Sequence, residues 1–329
     1  MFTEMYATGL RTVRGLEALT LSIPPTPGQA VPMRKHNKGF QTIGGVFRGI
    51  GYEPIYLYGG YSYFDNMNDF FGGNGYTVID RSAIPREHIT HENIWGVADE
   101  DLFRQAIREV DAHTRDGKKV FAHIMTTTNH RPFTYPDGRI DIPSGSGRDG
   151  AVKYTDWAIG AFVKESSGRP WFKETLFVFI ADHTSHGRGR TDLPPENYRI
   201  PMIIYAPDII PAGKVDTVAS QIDVAPTILA LLNVSYISRF FGQDILTDGR
   251  NHPRAFMSNY LTVGTMEEGL VVELSPKRRV RVLDVLTGKP QSASDPRAER
   301  VINEAIANYQ VATEELRADR ADLIRGVSH

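Results

Sequence analysis

The residues best equipped for chemistry in this 329-residue chain stand at the end of an apolar run. Leu176 to Ala181 carries six apolar residues without alternation, and Asp182-His183 follows at once, then Ser185, His186, Gly187, Arg188, Gly189 and Arg190. A carboxylate beside an imidazole supplies oxygen and nitrogen donors suited to a divalent cation. The same pair would serve as an Asp-His turn that only caps backbone groups, and Gly-Arg-Gly-Arg as a solvated loop. Thr12 is a second focus. It opens the pattern Val13-Arg-Gly-Leu-Glu-Ala-Leu19, spaced for a helix, and Thr is a favoured N-cap. A helix start presents free N–H groups and partial positive charge, which favour a phosphate or an alkoxide. Arg11 and Arg14 flank Thr12 and would add to that field. Taken alone, Thr12 reads as a cap and nothing more. His130 is a third focus, in a polar loop where a histidine is commonly just solvated.

These groups need a scaffold. An unbroken apolar run suits a strand buried on both faces, and ligands of open α/β sheets sit beyond the carboxyl ends of strands. The first eleven residues read as irregular, and a helix begins at Thr12, ended by Pro24-Pro25 and Pro27-Gly28. Residues 40 to 50 predict a second helix, Pro54 to Tyr58 a strand, and Asp65 to Phe71 a short helix closed by Gly72-Gly73. Asp99 to His113 has helical periodicity with Asp99 as N-cap, and Val120 to Met125 reads as a buried strand. A polar loop from Thr126 to Gly150 precedes a helix near Val152 to Val163; Pro201 to Tyr205 then predicts a strand and Ile222 to Leu232 a helix. Strands alternating with helices predict a largely parallel sheet covered on both faces. Residues 254 to 285 predict antiparallel strands, among them Leu270 to Leu274 and Arg279 to Leu283, and Arg297 to Ile324 a charged, Ala-rich helix.

Composition narrows the field. There is no cysteine, which rules out disulfides, thiolate metal sites and a cysteine nucleophile within the chain. Lys and Arg number 37 against 39 Asp and Glu, a net charge of -2 that points to no nucleic-acid partner. No apolar run is long enough to span a bilayer, and the first residues lack a signal-peptide pattern.

Several segments, in order, resemble the lipoteichoic acid synthase and phosphoglycerol transferase family of the alkaline phosphatase/sulfatase superfamily. Met5-Tyr-Ala-Thr-Gly-Leu-Arg-Thr-Val-Arg-Gly-Leu-Glu-Ala-Leu19 is similar to its nucleophile segment, Thr127-Thr-Asn-His-Arg-Pro-Phe133 to its substrate-histidine loop, and Ala181-Asp-His183 to its metal-binding strand end. Tyr198 to Pro207 and Gln221 to Thr227 resemble landmarks further on, so the likeness runs from about residue 2 to residue 247. It implies an α/β/α sandwich with a mostly parallel central sheet over residues 1–250. A small antiparallel β part over 251–290 and a helical tail over 291–329 would complete the chain.

The resemblance also implies roles. Thr12 would be nucleophile and metal ligand, Asp182 and His183 metal ligands, and the metal a divalent cation, Mn2+ in this family with Mg2+ or Zn2+ as alternatives. His130 would protonate the leaving oxygen or bind a phosphate oxygen. Phe64 and Asn66 stand where the family keeps an aromatic and a basic residue for the glycerol phosphate head group; Asn66 replaces an Arg, which would pass phosphate recognition to His186, Arg188 or Arg190. The family also carries an acidic ligand on a first strand some tens of residues before the nucleophile. Here eleven residues precede Thr12, and Glu4 lies in a segment resembling the later loop. The implied first strand, its acidic ligand and any upstream membrane helices are thus not in the sequence. The expected activity is transfer of glycerophosphoryl from phosphatidylglycerol to a glycan or polyglycerol phosphate acceptor, at an extracytoplasmic membrane surface. Alternatives are a sulfatase, a phosphodiesterase or phosphoethanolamine transferase of the same superfamily, or an inactive remnant that only binds head groups. Thr12-Val-Arg-Gly15 lacks the Cys or Ser of a sulfatase, and the missing cysteines fit poorly with a disulfide-bearing phosphoethanolamine transferase.

Overall fold

The apolar run after Thr175 does form a strand, but only over Phe177–Ile180 in the computed structural model, which describes residues 1–185 and 190–325. The chain divides into two compact units: residues 1–43 with everything from Leu176 onward, and Gly44–Thr175.

In the first unit, Phe177–Ile180 lies antiparallel to Arg199–Tyr205, with Phe177 opposite Tyr205 and Ile180 opposite Met202. Arg199–Tyr205 alternates strictly, burying Ile200, Met202 and Ile204 and turning Arg199, Pro201, Ile203 and Tyr205 outward, as a half-buried strand should. Its other neighbour corrects a sequence expectation. Phe2–Tyr6 is not irregular; it is a strand, antiparallel to Arg199–Tyr205 and parallel to Ala219–Ser220. Thr3-Glu4 and a register irregularity between Phe2 and Met5 break the periodicity by which it could have been read. Among the described residues, Phe177–Ile180 is the edge of this sheet.

Four antiparallel strands follow: Arg254–Ser258, Val263–Glu267, Leu270–Ser275 and Arg279–Asp284. Leu270, Val272 and Val282 on one face pack against Ala298, Val301 and Ala305 of the helix Pro296–Arg325. Apolar residues at three- and four-residue spacing are what lay this charged helix on the sheet. Tyr309 on the same helix donates its hydroxyl proton to the Gly264 carbonyl at 2.7 Å.

The second unit is built on a parallel sheet in the order Thr77–Ile79, Tyr52–Tyr58, Lys119–Met125. Pro54 sits inside the central strand, yet pairing with Thr77–Ile79 begins only at Ile55, so its missing N–H breaks no bond on that side. Ile55, Leu57, Ile79 and Val97 form a core with Leu102 and Ala106 of the helix Asp99–Arg115. That helix packs on Arg148–Ser166 through stacked Phe103 and Phe162, 4.7 Å apart. The fold is therefore α/β, with an antiparallel sheet and a long helix toward its C-terminal end.

Candidate active site

The helix Thr12–Leu21 places its first turn on the end of the Phe177–Ile180 strand. Thr12 is the first helical residue, not the cap: Arg11 is the N-cap, and no side chain caps the helix. The Thr12 hydroxyl instead donates to Asp182 Oδ2 at 2.6 Å. The next residue completes the corner. His183 Nδ1 lies 2.7 Å from the Thr184 carbonyl oxygen, which can only accept, so Nδ1 carries the proton. His183 Nε2 lies 3.6 Å from Asp182 Oδ2. The oxygen and nitrogen donors of Thr12, Asp182 and His183 suit a divalent cation. Among the described residues no three of His, Cys, Asp and Glu gather as a metal group. Both Asp182 and His183 keep part of their surface open, 34% and 27%.

Close backbone approach makes the corner possible. A Cβ on Gly15 would meet the Asp182 carbonyl oxygen at 2.3 Å, so one turn into the helix only glycine lets it lie so near the strand end. A buried amide ties the pieces together. Gln221 Nε2 donates to the carbonyls of Ala181 and Asp182 at 2.9 and 2.8 Å, while its Oε1 accepts from the Thr8 N–H and hydroxyl at 2.9 and 3.1 Å. Ser258 Oγ holds the Thr8 carbonyl at 2.8 Å. Arg14 does not join the site: its guanidinium pairs with buried Glu17 at 2.8 Å and reaches the Gly28 carbonyl. Glu4 is also engaged elsewhere, accepting from Tyr6 and pairing with Arg199. Arg190 makes two bonds to Asp192, at 2.8 and 2.6 Å. His186 and Arg188 lie outside the described residues.

In the second unit, His130 and Phe64 meet a residue the sequence did not single out. The Trp95 indole lies 3.6 Å from the His130 ring, centroid to centroid and tilted 33°, and Phe64 meets the same indole edge-on at 5.7 Å. Trp95 fits no periodic pattern, and only its place before Gly96 in a turn could have marked it. Phe64 and Asn66 belong to a tight turn in which Asp65 and Asn66 both adopt left-handed backbone, φ 48° and 60°. Asp80 anchors this turn through the Ser62 N–H and hydroxyl, at 2.8 and 2.6 Å. Burial works to raise the Asp80 carboxyl, but hydrogen bonds from Ser62 and Ser82 outweigh it and leave the pKa below the ordinary value. Asp99, expected as a helix cap, is the first helical residue after the N-cap Ala98 and is wholly buried. Its carboxylate accepts from the Thr127 and Thr128 N–H groups at 3.2 and 3.1 Å, and from the Thr128 and Thr155 hydroxyls at 2.7 Å each.

Comparison with known proteins gives a consistent picture. The sulfatase family model matches residues 1–234. Phosphoglycerol transferase I of Xanthomonas campestris pv. campestris is 23% identical over 276 residues, covering 74% of this chain and 39% of that protein. Lipoteichoic acid synthase 1 of Bacillus subtilis is 25% identical over 232 residues, covering 63% and 35%. The chain thus spans about two fifths or less of these relatives. Among solved structures, a protein in the alkaline phosphatase superfamily from Vibrio parahaemolyticus is 33% identical, with 97% of this chain and 78% of that one superposed at a TM-score of 0.88. The lipoteichoic acid synthase LtaP from Listeria monocytogenes, 18% identical, shares the fold over 95% and 82% at a TM-score of 0.80.

Proposed function

Because this chain belongs to the sulfatase family, within the alkaline phosphatase superfamily, we propose that it moves a glycerophosphoryl group between hydroxyls. The donor is a phosphatidylglycerol head group; the acceptor is a hydroxyl of a glycan or of polyglycerol phosphate, outside the cytoplasm at a membrane surface. The observation that carries this reading is the 2.6 Å hydrogen bond from Thr12 to Asp182 at the start of a helix. It gives a threonine proton somewhere to go, and an unassisted threonine is a poor nucleophile at neutral pH.

Thr12 Oγ passes its proton to Asp182 and attacks phosphorus. The bond from phosphorus to the glyceride oxygen breaks, the electron pair leaves on that oxygen, and a proton from His130 releases diacylglycerol. The acceptor hydroxyl gives its proton to the now neutral His130 and attacks the phosphorus of glycerophosphoryl-Thr12; the bond from phosphorus to Thr12 Oγ breaks, and Oγ takes its proton back from Asp182. The helix N-terminus favours the negative phosphoryl oxygens. Thr12 Oγ, the Asp182 carboxylate and His183 Nε2 would hold a divalent cation, manganese in this assignment, which would neutralise phosphoryl charge and acidify the threonine hydroxyl.

Trapping tests the intermediate. The chain is incubated with phosphatidylglycerol and manganese, quenched in acid and digested. A glycerophosphoryl adduct is expected on the peptide bearing Thr12. Steady release of diacylglycerol with no adduct, in a Thr12→Ser variant that slows the second step as well as in the parent, would overturn the covalent route.

A further inference from the structure

His130 stands on an exposed loop, where an imidazole with two free side-chain torsions would sample several directions. Its ring is instead laid against an indole, 3.6 Å between centroids. We infer that Trp95 is the positioning residue of His130: its indole face fixes the plane and direction of the imidazole. The inference rests on the proton-donating role given to His130 above.

The surroundings are built to hold both rings. One turn of the helix Asp99–Arg115 grips the two segments that carry them. Asp99 takes the Thr127 and Thr128 N–H groups, three and two residues before His130. Asp101 takes the N–H groups of Thr90 and His91, at 2.8 and 3.3 Å, at the start of the turn that presents Trp95. Two carboxylates two residues apart therefore set the spacing between the loops. Cross-links repeat the arrangement. Thr127 Oγ1 donates to the Val97 carbonyl at 3.0 Å, and Asn93 Nδ2 donates to Thr134 Oγ1 at 3.0 Å. The Asn93 side-chain oxygen accepts from the Trp95 N–H at 2.8 Å. Gly96, at φ 149°, presses so close to Gly59 that a Cβ would fall 2.1 Å from its carbonyl oxygen. The backbone at Trp95 cannot drift without displacing the turn that carries Phe64. Phe64 also meets the indole, its ring at 86° to it and 5.7 Å away, so the platform has a second aromatic contact. An anchored aromatic ring with a histidine laid on it is how a scaffold holds a catalytic group to within a fraction of an ångström.

Trp95→Leu removes the platform and Trp95→Phe keeps an aromatic face. Two measurements are made on each in the full chain. The first is the proton NMR line of the His130 imidazole, assigned by its disappearance in His130→Gln; indole ring current displaces it in the parent. The second is turnover of phosphatidylglycerol and of a nitrophenyl phosphodiester at saturating manganese. Trp95→Leu should return the His130 line to the position of an exposed histidine and lower kcat on the lipid about 10- to 100-fold, as a misdirected group does. KM should stay within about twofold, because the lost contact acts in the transition state. Trp95→Phe should keep part of the displacement and most of the turnover, and remains informative if the Leu variant folds poorly. An unmoved His130 line in Trp95→Leu overturns the stack. A moved line with unchanged kcat, when His130→Ala is inactive, overturns the positioning role. Full turnover by His130→Ala would sink the role of His130 and with it that of Trp95, while the ring-current displacement would persist and mark the failure as functional.

Discussion

The two corners that carry the candidate chemistry are held by opposite means. Around Thr12, Asp182 and His183 the first unit uses backbone: a helix turn set on a strand end at a glycine, with one buried amide gripping both. Around His130 the second unit uses side chains: an indole platform, an edge-on Phe64, and loops gripped by buried carboxylates. Backbone contact leaves no torsion to adjust, so it suits groups whose mutual distance must not change. An aromatic stack fixes a ring through several side-chain contacts, each of which can be weakened singly. The first corner should therefore fail abruptly when altered and the second by degrees.

The largest break is expected from Thr12→Ala. Turnover should fall by roughly a thousandfold or more, as when other enzymes lose their nucleophile. Stability should fall by only about 1 kcal/mol, the worth of one hydrogen bond, since the threonine caps nothing. Turnover near the parent level would remove Thr12 from the chemistry.

Gly15→Ala tests the backbone contact itself. The new methyl meets the Asp182 carbonyl, and overpacking against backbone should cost about 3 kcal/mol or more in urea unfolding, with loss of activity. Gly160→Ala is the matched control. That glycine lies in the helix Arg148–Ser166 with no atom near its Cβ position, and alanine there should stabilise by up to about 1 kcal/mol. Equal effects at the two positions would mean that the helix does not rest on the strand end.

Acid should separate the units by sign. His123 is half-buried as a residue, but its ring is the group that titrates, and it is packed edge-on against Tyr56 and Phe71. Burial pushes its pKa down to about 4. Below the ordinary 6.5 the unfolded chain takes up a proton that the native ring refuses. The contribution is thus full above pH 6.5 and lost as pH falls toward 4, at most about 3 kcal/mol. Glu267, on the four-stranded sheet, behaves oppositely: burial first, then the neighbouring Glu304 carboxylate, pushes it up to about 7. Its contribution is full below 4.5 and is lost as pH rises through 7; the group is partly exposed, and screening should hold this below about 1 kcal/mol. His123→Leu should flatten the acid side of stability against pH, and Glu304→Gln the neutral side. An unchanged slope in either variant would discard that residue as the source.

What could be read from the chain beforehand divides along the same line. Leu176 to Ala181, Val120 to Met125 and the periodic helices announce themselves locally, because apolar runs and helical spacing leave a pattern in neighbouring residues, although both strands, expected to be buried, are mostly half-buried. Phe2–Tyr6 does not: its partners are Met202, Ile200 and Ala219, about two hundred residues away. Asp182 and His183 could be named as candidate donors because they end a legible strand. The reason they meet Thr12 could not, since it lies in the absent side chain of Gly15 and the two-handed amide of Gln221. Trp95 was missed because stacking on His130 is a relation between two loops, each unremarkable in sequence.

The Phe2–Tyr6 strand also has a consequence in time. Arg199, which donates to the Thr3 carbonyl, lies 196 residues further along, and Gln221, which grips Thr8, is later still. At about 5–20 residues per second of synthesis, the strand waits roughly 10–40 seconds for its neighbour. The whole stretch Gly44–Thr175 emerges in that interval, and its sheet closes from contacts internal to it. The contacts that close the corner at Thr12 can form only after Gln221 has emerged. A chain released before Gln221 would carry the threonine, the aspartate and the histidine without the amide that brings them together.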